Sequence, residues 1–441
     1  MRVMRLWMPV ALLLVGCAAA QPAPTGSPAV TGTPSSAPTT AAASASPSPA
    51  SSTNAATESP TPTLSASPTL TASPPPTATP TVTPSPQAWS EVTGFATYGV
   101  DTHVTAIDFA NETFVAVGWS ERNGNTRGRV WTSADGTTWT AQPDTSFAGL
   151  SLLALTHNAS DFYLFAAAPA TVWRSPDGVE WEKVNLPQEG GELGSWDVFS
   201  SGSVADATTE NGVMYAAGAA QVTGGDLVCE CAALWKSADG TNWAQSTVTP
   251  PGSFASLAVA GAPPFAVAIG NRTYVGDALM YTTGFDSWNE RDPGLGEDWG
   301  FLDATADATR IVAVGGRGDF SEAIALVTDG TTWTVTPIDS DAVAEQVTAI
   351  PGGFLAIGTQ NGFAPTWISA DGSSWQPGPP VYEFPDVDFT PEPPGDTPFN
   401  DRTVGASVLG IVVADTFADG LHVWYAPLAA FGVAPTGAIL H

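Results

Sequence analysis

The sequence predicts an all-β fold, a seven-bladed β-propeller whose last blade is completed by an N-terminal strand. Three observations support this prediction. A short motif flanked by tryptophans recurs along the chain, apolar strand patterns lie between its copies, and a seventh copy is split between the two ends of the repeat region. A repeat of about 40 to 45 residues is typical of one four-stranded blade.

The motif reads Trp-x-Ser-x-Asp-Gly-x-x-Trp in its fullest form. Six copies close on tryptophans that are 42, 62, 45, 45 and 42 residues apart: Trp139, Trp181, Trp243, Trp288, Trp333 and Trp375. The Asp-Gly step predicts a hairpin turn, because Gly tolerates a positive φ and Asp hydrogen-bonds within its own turn. We therefore expect the closing Trp to begin the outer strand and to pack between blades.

Each repeat begins with a predicted strand built around a small residue, which suits the crowded innermost position of a blade. These residues are Ala106, Ala154, Ala207, Ala258, Ala304, Ala349 and Ala406. A near-continuous apolar run follows each of them, for example at 114–118 and 353–358. Such runs predict strands that are buried on both faces.

The seventh blade is incomplete at its C-terminal end. Residues 403–427 supply three strands, but no Asp-Gly turn or outer strand follows them. The segment from Trp89 to Thr93 lies just before the first inner strand, where every other blade has its outer strand. We predict that this segment completes the last blade, which would remove the free strand edges.

The motif Ser-x-Asp-Gly-x-x-Trp resembles the Asp-box, or BNR repeat, of sialidases and related propellers. The resemblance covers nearly all of residues 87–427, although the family pattern has one more residue between Asp and Trp. It implies that the box lies at the turn between the third and fourth strands, remote from the catalytic face. The aspartates that it assigns to structural turns are Asp135, Asp177, Asp239, Asp329 and Asp371.

Sialidase chemistry is not favoured by the rest of the sequence. The resemblance implies an arginine triad, a Tyr/Glu nucleophilic pair and an acid/base Asp. None of the nine arginines in the body lies in the Arg-Ile-Pro context of that family, and seven blades differ from the sialidase six. We identify no catalytic residues.

The N-terminus resembles a bacterial lipoprotein signal. A basic start and ten apolar residues (6–15) precede Leu14-Val15-Gly16-Cys17, which is similar to a lipobox. The apolar run is too short to span a bilayer. We expect residues 1–16 to be a signal peptide and Cys17 to carry the acyl chains, which would anchor the chain on the extracytoplasmic side of the cell membrane.

The remaining domain boundaries follow from composition and charge. Residues 17–86 are almost entirely Ser, Thr, Pro, Ala and Gly and predict a disordered linker, 87–430 form the propeller, and 431–441 form a C-terminal tail. From Gln87 onward the chain has 42 acidic and 11 basic residues. This balance excludes nucleic acid as a partner.

Two other features remain open at this level. Cys229 and Cys231 are predicted to form a local disulfide outside the cytoplasm, with a free or metal-binding pair as the alternative. The acidic, Pro-rich insertion at 378–401 is a solvated loop, a lid or a calcium loop. No cofactor is predicted, calcium remains an alternative, and no metal ligands are assigned.

The predicted function is that of a recognition or scaffold module that binds protein or carbohydrate ligands on a propeller face. We expect a monomer. Candidate contact residues are aromatic side chains outside the repeat: Trp196, Trp299, Tyr382 and Phe384. The alternative is a sialidase-like glycoside hydrolase or a lyase that uses carboxylates at the channel mouth.

Overall fold

A computed structural model of the chain describes residues 88–99, 101–143, 147–167, 171–184, 203–224, 227–272, 276–285, 287–295, 299–318, 320–360, 363–382, 402–417 and 419–433. These residues form 27 β-strands and one short 3₁₀ helix. The strands are arranged as seven antiparallel blades in a ring, as the sequence predicts. Cys17 and the predicted linker lie outside the described residues.

The first three blades follow the chain in order. Blade 1 contains β2 (Thr102–Ala110), β3 (Thr113–Arg122), β4 (Asn125–Ser133) and β5 (Thr140–Ala141). Blade 2 contains β6 (Ser151–His157), β7 (Phe162–Ala167), β8 (Thr171–Ser175) and β9 (Glu182–Lys183). Blade 3 contains β10 (Ser203–Glu210), β11 (Val213–Gly224), β12 (Leu227–Ser237) and the first part of β13 (Ala244–Ala260).

The next three blades continue the same order. Blade 4 contains the second part of β13, β14 (Phe265–Arg272), β15 (Gly276–Thr282) and β16 (Asn289–Glu290). Blade 5 contains β17 (Trp299–Ala306), β18 (Ile311–Arg317), β19 (Glu322–Thr328) and β20 (Trp333–Asp339). Blade 6 contains β21 (Val343–Ile350), β22 (Gly353–Thr359), β23 (Thr366–Ser369) and β24 (Gln376–Pro377).

Blade 7 is closed by the N-terminal strand, which confirms the prediction. It contains β25 (Thr403–Ala406), β26 (Gly410–Phe417) and β27 (Gly420–Pro427), and β1 (Ser90–Glu91) is its outer strand. Ser90 pairs with Tyr425, Glu91 pairs with Trp424, and the Val92 N–H donates to the Val423 carbonyl at 2.8 Å. The two ends of the propeller therefore share one sheet.

Strand direction gives the ring two distinct faces. The inner strands (β2, β6, β10, the second part of β13, β17, β21 and β25) all begin on one face, which we call the top face. The Asp-Gly turns connect third and fourth strands at the opposite, bottom face. Six inner strands carry a β-bulge near their start, as between Val104 and Ala106 or between Phe254 and Ser256. A bulge increases the local twist of the strand that carries it.

Seven clusters of buried apolar side chains join the blades, one at each junction between neighbours. The closing tryptophans belong to these clusters, as predicted. Trp243 packs with Phe165 of blade 2, and Trp139 packs with Val412 of blade 7. Trp89 occupies the same place between blades 6 and 7 and is only 1% exposed. It is the seventh closing tryptophan of the repeat.

The packing of blade 7 extends slightly past the predicted end of the propeller at residue 430. The 3₁₀ helix Leu428–Phe431 follows β27, and its Phe431 ring meets Trp89 edge-on at 5.5 Å between centroids. Val433 packs against the same cluster. Residues 434–441 of the predicted tail lie outside the described residues.

Candidate functional site

The inner strands are connected to one another by polar side chains that cross from blade to blade. Thr105 Oγ1 donates to the Leu152 carbonyl at 2.8 Å, and Thr156 Oγ1 lies 2.9 Å from Thr209 Oγ1. Asp206, Ser256, Asp303 and Arg402 make the corresponding links further round the ring. Because the inner strands border the channel of a propeller, these side chains form a polar wall there.

Asp206 and Asp303 form the most unusual group in this wall. Ser256 Oγ lies 3.2 Å from Asp206 Oδ2 and 2.9 Å from Asp303 Oδ1, so one hydroxyl bridges two carboxyls from different blades. Burial, and after it the nearby Asp303 charge, raise the pKa of Asp206 to about 7. Burial likewise raises the pKa of Asp303 to about 6.

Backbone donors engage the same two carboxyls. Asp206 accepts the Ala207 N–H at Oδ1 (2.7 Å) and the Leu257 N–H at Oδ2 (2.8 Å). Asp303 Oδ2 accepts the Val347 N–H at 2.8 Å. All four carboxyl oxygens therefore contact the protein, and each carboxyl holds its own blade to the next. Neither residue is predicted from the sequence, because an isolated Asp on a predicted inner strand carries no distinguishing spacing.

A second charged group lies at the top face between blades 6 and 7. Arg402, immediately before β25, is 6% exposed and contacts Glu345 of blade 6 and Asp415 of blade 7. Its Nη1 also donates to the Gly358 carbonyl at 2.9 Å, and its Nη2 donates to the Tyr382 hydroxyl at 2.5 Å. A buried ion pair requires such additional hydrogen bonds to offset its desolvation.

Tyr382 is the one predicted aromatic contact residue that this group includes. Its hydroxyl donates to Asp415 Oδ2 at 2.8 Å, and burial raises its pKa. Its ring packs against Trp424 at 4.9 Å and against Phe417 at 5.2 Å. The hydroxyl of Tyr382 is therefore committed to the junction between blades.

Of the other predicted contact residues, the structure describes Trp299, which lies in a different blade from Tyr382. Trp299 lies half-buried at the start of β17 in blade 5 and packs on Phe301 at 5.5 Å. Trp196 and Phe384 lie outside the described residues, as does most of the acidic insertion at 378–401.

The motif aspartates lie at the bottom face, away from Arg402. In blade 1, Asp135 Oδ1 accepts the N–H groups of Thr137 (2.8 Å) and Thr138 (2.7 Å), and the Trp139 indole donates to the Gly136 carbonyl at 2.8 Å. The hydrogen bond from Thr138 is the largest cause that lowers the pKa of Asp135 to about 2. The corresponding backbone hydrogen bonds occur in four further copies, at Asp177, Asp239, Asp329 and Asp371.

Blade 4 keeps this turn without the motif sequence. Phe285 stands at the glycine position with φ 61°, and its N–H donates to Thr282 Oγ1 at 3.0 Å. Its ring stacks on Tyr215 of blade 3 at 4.7 Å. An aromatic contact across the blades therefore accompanies the strained backbone.

Blade 1 presents a basic hairpin on the top face. Arg122, Arg127 and Arg129 lie on one face of the β3–β4 hairpin, because Gly118 pairs with Arg129 and Ser120 with Arg127. Arg129 lies 3.4 Å above the Tyr98 ring, and its Nε donates to Ser120 Oγ at 2.8 Å. Arg122 and Arg127 are exposed.

Cys229 and Cys231 are the predicted disulfide pair. Cys229 pairs with Val222 and Cys231 with Ala220 in the β11–β12 ladder, so both cysteines lie on β12, but their side chains are outside the described residues. The predicted disulfide stays a prediction. In the described ranges, no group of three or more His, Cys, Asp or Glu side chains is placed to hold a metal ion. Within the same ranges, no helix has the length and apolar character needed to cross a membrane.

Comparison with known proteins shows similarity in fold only. No family model matches the chain, and no curated protein matches it in sequence. A structure of YCF48 bound to a D1 peptide is 13% identical, with a TM-score of 0.49, over 77% of this chain and 95% of that one. YCF48 from Cyanidioschyzon merolae is 15% identical, with a TM-score of 0.47, over 78% and 99%.

An inactive virginiamycin B lyase from Staphylococcus aureus with quinupristin is 11% identical, with a TM-score of 0.48, over 76% of this chain and 98% of that one. These similarities are too distant to transfer a function.

Proposed function

We propose that this chain is an extracytoplasmic recognition or scaffold module, held at the membrane by acyl chains on Cys17, that binds a protein or carbohydrate ligand on a propeller face. The sequence supports the anchor through its lipobox-like segment and the disordered linker of residues 17–86 through its Ser/Thr/Pro-rich composition. A rigid ring that presents loops is a common setting for binding sites.

The observation that carries the proposal is that the charged groups of the inner wall are engaged in contacts within the protein. Every carboxyl oxygen of Asp206 and Asp303 contacts the protein, and so does every guanidinium nitrogen of Arg402. Groups that hold blades together in this way are poorly available to a substrate. Recognition by exposed side chains of the faces fits this arrangement better than catalysis in the channel.

The basic hairpin of blade 1 is the surface we assign to ligand contact. Arg122 and Arg127 are exposed there. In a chain of net charge −30, this hairpin is a local positive region on the top face. At physiological salt, electrostatic interactions are screened beyond about 8 Å. The positive charge of the hairpin can therefore attract a ligand independently of more distant acidic residues.

A capture experiment tests the binding role. The full chain, immobilised, is exposed to a glycan array and to proteins of the extracytoplasmic fraction, alongside the R122A/R127A variant and the control R174A, whose exposed arginine pairs with Glu182 in blade 2. We expect specific capture by the wild type and by R174A, reduced at least tenfold in R122A/R127A. Equal capture by all three chains would remove the blade 1 surface from the proposal.

The anchor is tested separately by fractionation. The wild-type chain should sediment with membranes and carry acyl chains detectable by mass spectrometry, and C17S should be released from the membrane. Membrane association of C17S at the wild-type level would contradict the lipid anchor without bearing on ligand capture.

A glycoside hydrolase or lyase is the second candidate, and one observation favours it. Asp206 and Asp303 share a hydroxyl, so their nearest oxygens are within about 6 Å, a separation close to that of retaining glycosidases. Release of a sugar from a reporter glycoside by the wild type, and its loss in a folded D303N variant, would favour this candidate over the binding module.

A further inference from the structure

The inner wall contains a hydroxyl that faces more acceptors than its single hydrogen can serve. Ser256 is 3% exposed, and its Oγ lies 3.2 Å from Asp206 Oδ2 and 2.9 Å from Asp303 Oδ1. A serine hydroxyl donates one hydrogen bond and accepts two. If both carboxyls were ionised, one of these contacts would place two oxygen lone pairs against each other.

From this geometry we infer that Asp206 and Asp303 share one proton through Ser256, which makes this part of the inner wall a built-in protonation site joining blades 3, 4 and 5. The two carboxyls titrate as a coupled pair. At neutral pH one of them donates to Ser256, and Ser256 donates to the other.

The surrounding hydrogen bonds place the shared proton on Asp303. Asp206 already accepts the Ala207 and Leu257 N–H groups, and the Ser256 hydroxyl provides a third donor to it, an arrangement that favours a carboxylate. Within the part of the chain that the structure describes, Asp303 Oδ1 has a single hydrogen-bond partner, Ser256 Oγ. Ser256 then accepts from Asp303 and from the Ala304 N–H at 3.1 Å, so all of its hydrogen-bonding capacity is used.

The charged side chains on the neighbouring strands do not neutralise the two carboxyls in place of this proton. The described titratable side chains on the strands packed against β10 and β17 are paired elsewhere or lie at other ladder positions. His157 pairs with Asp108, Arg317 with Glu322 and Glu345 with Arg402, and Tyr215 and Glu210 occupy other positions of the β10–β11 ladder. The charge that acts on Asp206 is that of Asp303. Burial of both carboxyls raises the pKa of Asp206 to about 7 and that of Asp303 to about 6, which agrees with a proton retained near neutrality. The charge of Asp303 is one cause of the higher pKa of Asp206, and this cause is absent when Asp303 carries the proton.

The sign of the pH effect follows from the raised pKa values. Both carboxyls have an ordinary pKa near 3.8, so the folded chain holds protons that the unfolded chain has lost between about pH 4 and pH 7. Stability is therefore present at the acidic end of this window and falls as the pH rises through about 7. Full ionisation then places two repelling carboxylates beside one hydroxyl at the junctions of three blades.

The experiment compares the full-length wild type with D303N and with D341N, an exposed control. An Asn at 303 can donate its amide N–H to Ser256 and accept from the Val347 N–H, so it imitates the protonated carboxyl at every pH. We expect the melting temperature of the wild type and of D341N to fall by about 3 to 6 °C between pH 6 and pH 8.5, and that of D303N to fall by less than half as much.

Infrared difference spectra of the wild type provide a measurement that needs no variant. At pH 6 ordinary carboxyls are ionised, so a protonated-carboxyl C=O band that disappears by pH 8.5 reports the shared proton. Absence of this band, or equal pH slopes for the wild type and D303N, would overturn the inference. Neither result depends on whether the chain binds a ligand.

Discussion

The glycine of the Asp-Gly turn satisfies two constraints at one position. Gly240 has φ 73°, and a Cβ built on it would overlap the ring of Tyr163 in the preceding blade. Gly212 has a similar φ of 75°, but a Cβ there meets nothing within 4 Å. Comparison of the two positions therefore separates backbone strain from the contact between blades.

We expect G240A to lower the free energy of unfolding by about 3 kcal/mol and G212A by about 1 kcal/mol, because only the former adds overpacking to the left-handed strain. Urea unfolding of both variants measures the difference. Equal losses would mean that the Tyr163 contact is relieved by side-chain movement.

Arg402 is the second position where one residue has a large effect on its neighbours. Removing it would leave Glu345 and Asp415 buried without their cation, at 7% and 5% exposure. We expect R402M to lower the free energy of unfolding by about 3 to 5 kcal/mol. The matched change R174M breaks an exposed pair with Glu182 and should cost at most about 1 kcal/mol. Chemical denaturation of both variants tests this, and similar losses would contradict the structural role of the Arg402 group.

At the scale of the element, the closing strand β1 is only two residues long, so its attachment depends on Trp89 more than on its ladder. The Trp89 indole donates to the Pro379 carbonyl at 3.0 Å, and its ring is buried against Phe431. A closed ring therefore relies on one side chain that precedes the first inner strand by more than ten residues.

W89A should open blade 7 before the rest of the ring. We expect faster hydrogen exchange of the Val92 amide and of amides in β27, and a loss of about 3 to 5 kcal/mol. The control W181A truncates the equivalent but half-buried tryptophan of blade 2 and should leave exchange in blade 7 unchanged. Uniform acceleration across all blades in W89A would show instead that the ring opens as a single unit.

The sequence was sufficient to predict the strands and blades but not the polar contacts of the inner wall. Spacing between tryptophans, the small residues at inner strands and the displaced Trp89 segment all report local or repeating constraints, and they predicted the blades and their closure. Asp206, Ser256 and Asp303 occur in three different blades, and Arg402 acts on residues from two others. Such groups are created by the ring geometry, and no spacing in one repeat reveals them.

At the scale of the whole molecule, repulsion among the excess acidic residues opposes folding, and the fold does not remove this repulsion. The net charge is −30, and acidic residues outnumber basic ones 43 to 13. Like charges repel more strongly in the compact state than in the extended chain, and salt screens this repulsion. We expect the melting temperature at pH 7.5 to rise by several degrees between about 0.01 M and 0.5 M sodium chloride.

A charge-reversal variant shows whether screening is the cause. Glu112 and Glu180 are exposed, on turns of blades 1 and 2, and E112K/E180K changes the net charge by four units without touching the blade junctions. This variant should be more stable than the wild type at low salt and should gain less from added salt, as thermal unfolding at each salt concentration would reveal. If both chains respond to salt equally, specific ion effects rather than long-range repulsion govern the response. The acidic surface would then have no effect on folding stability.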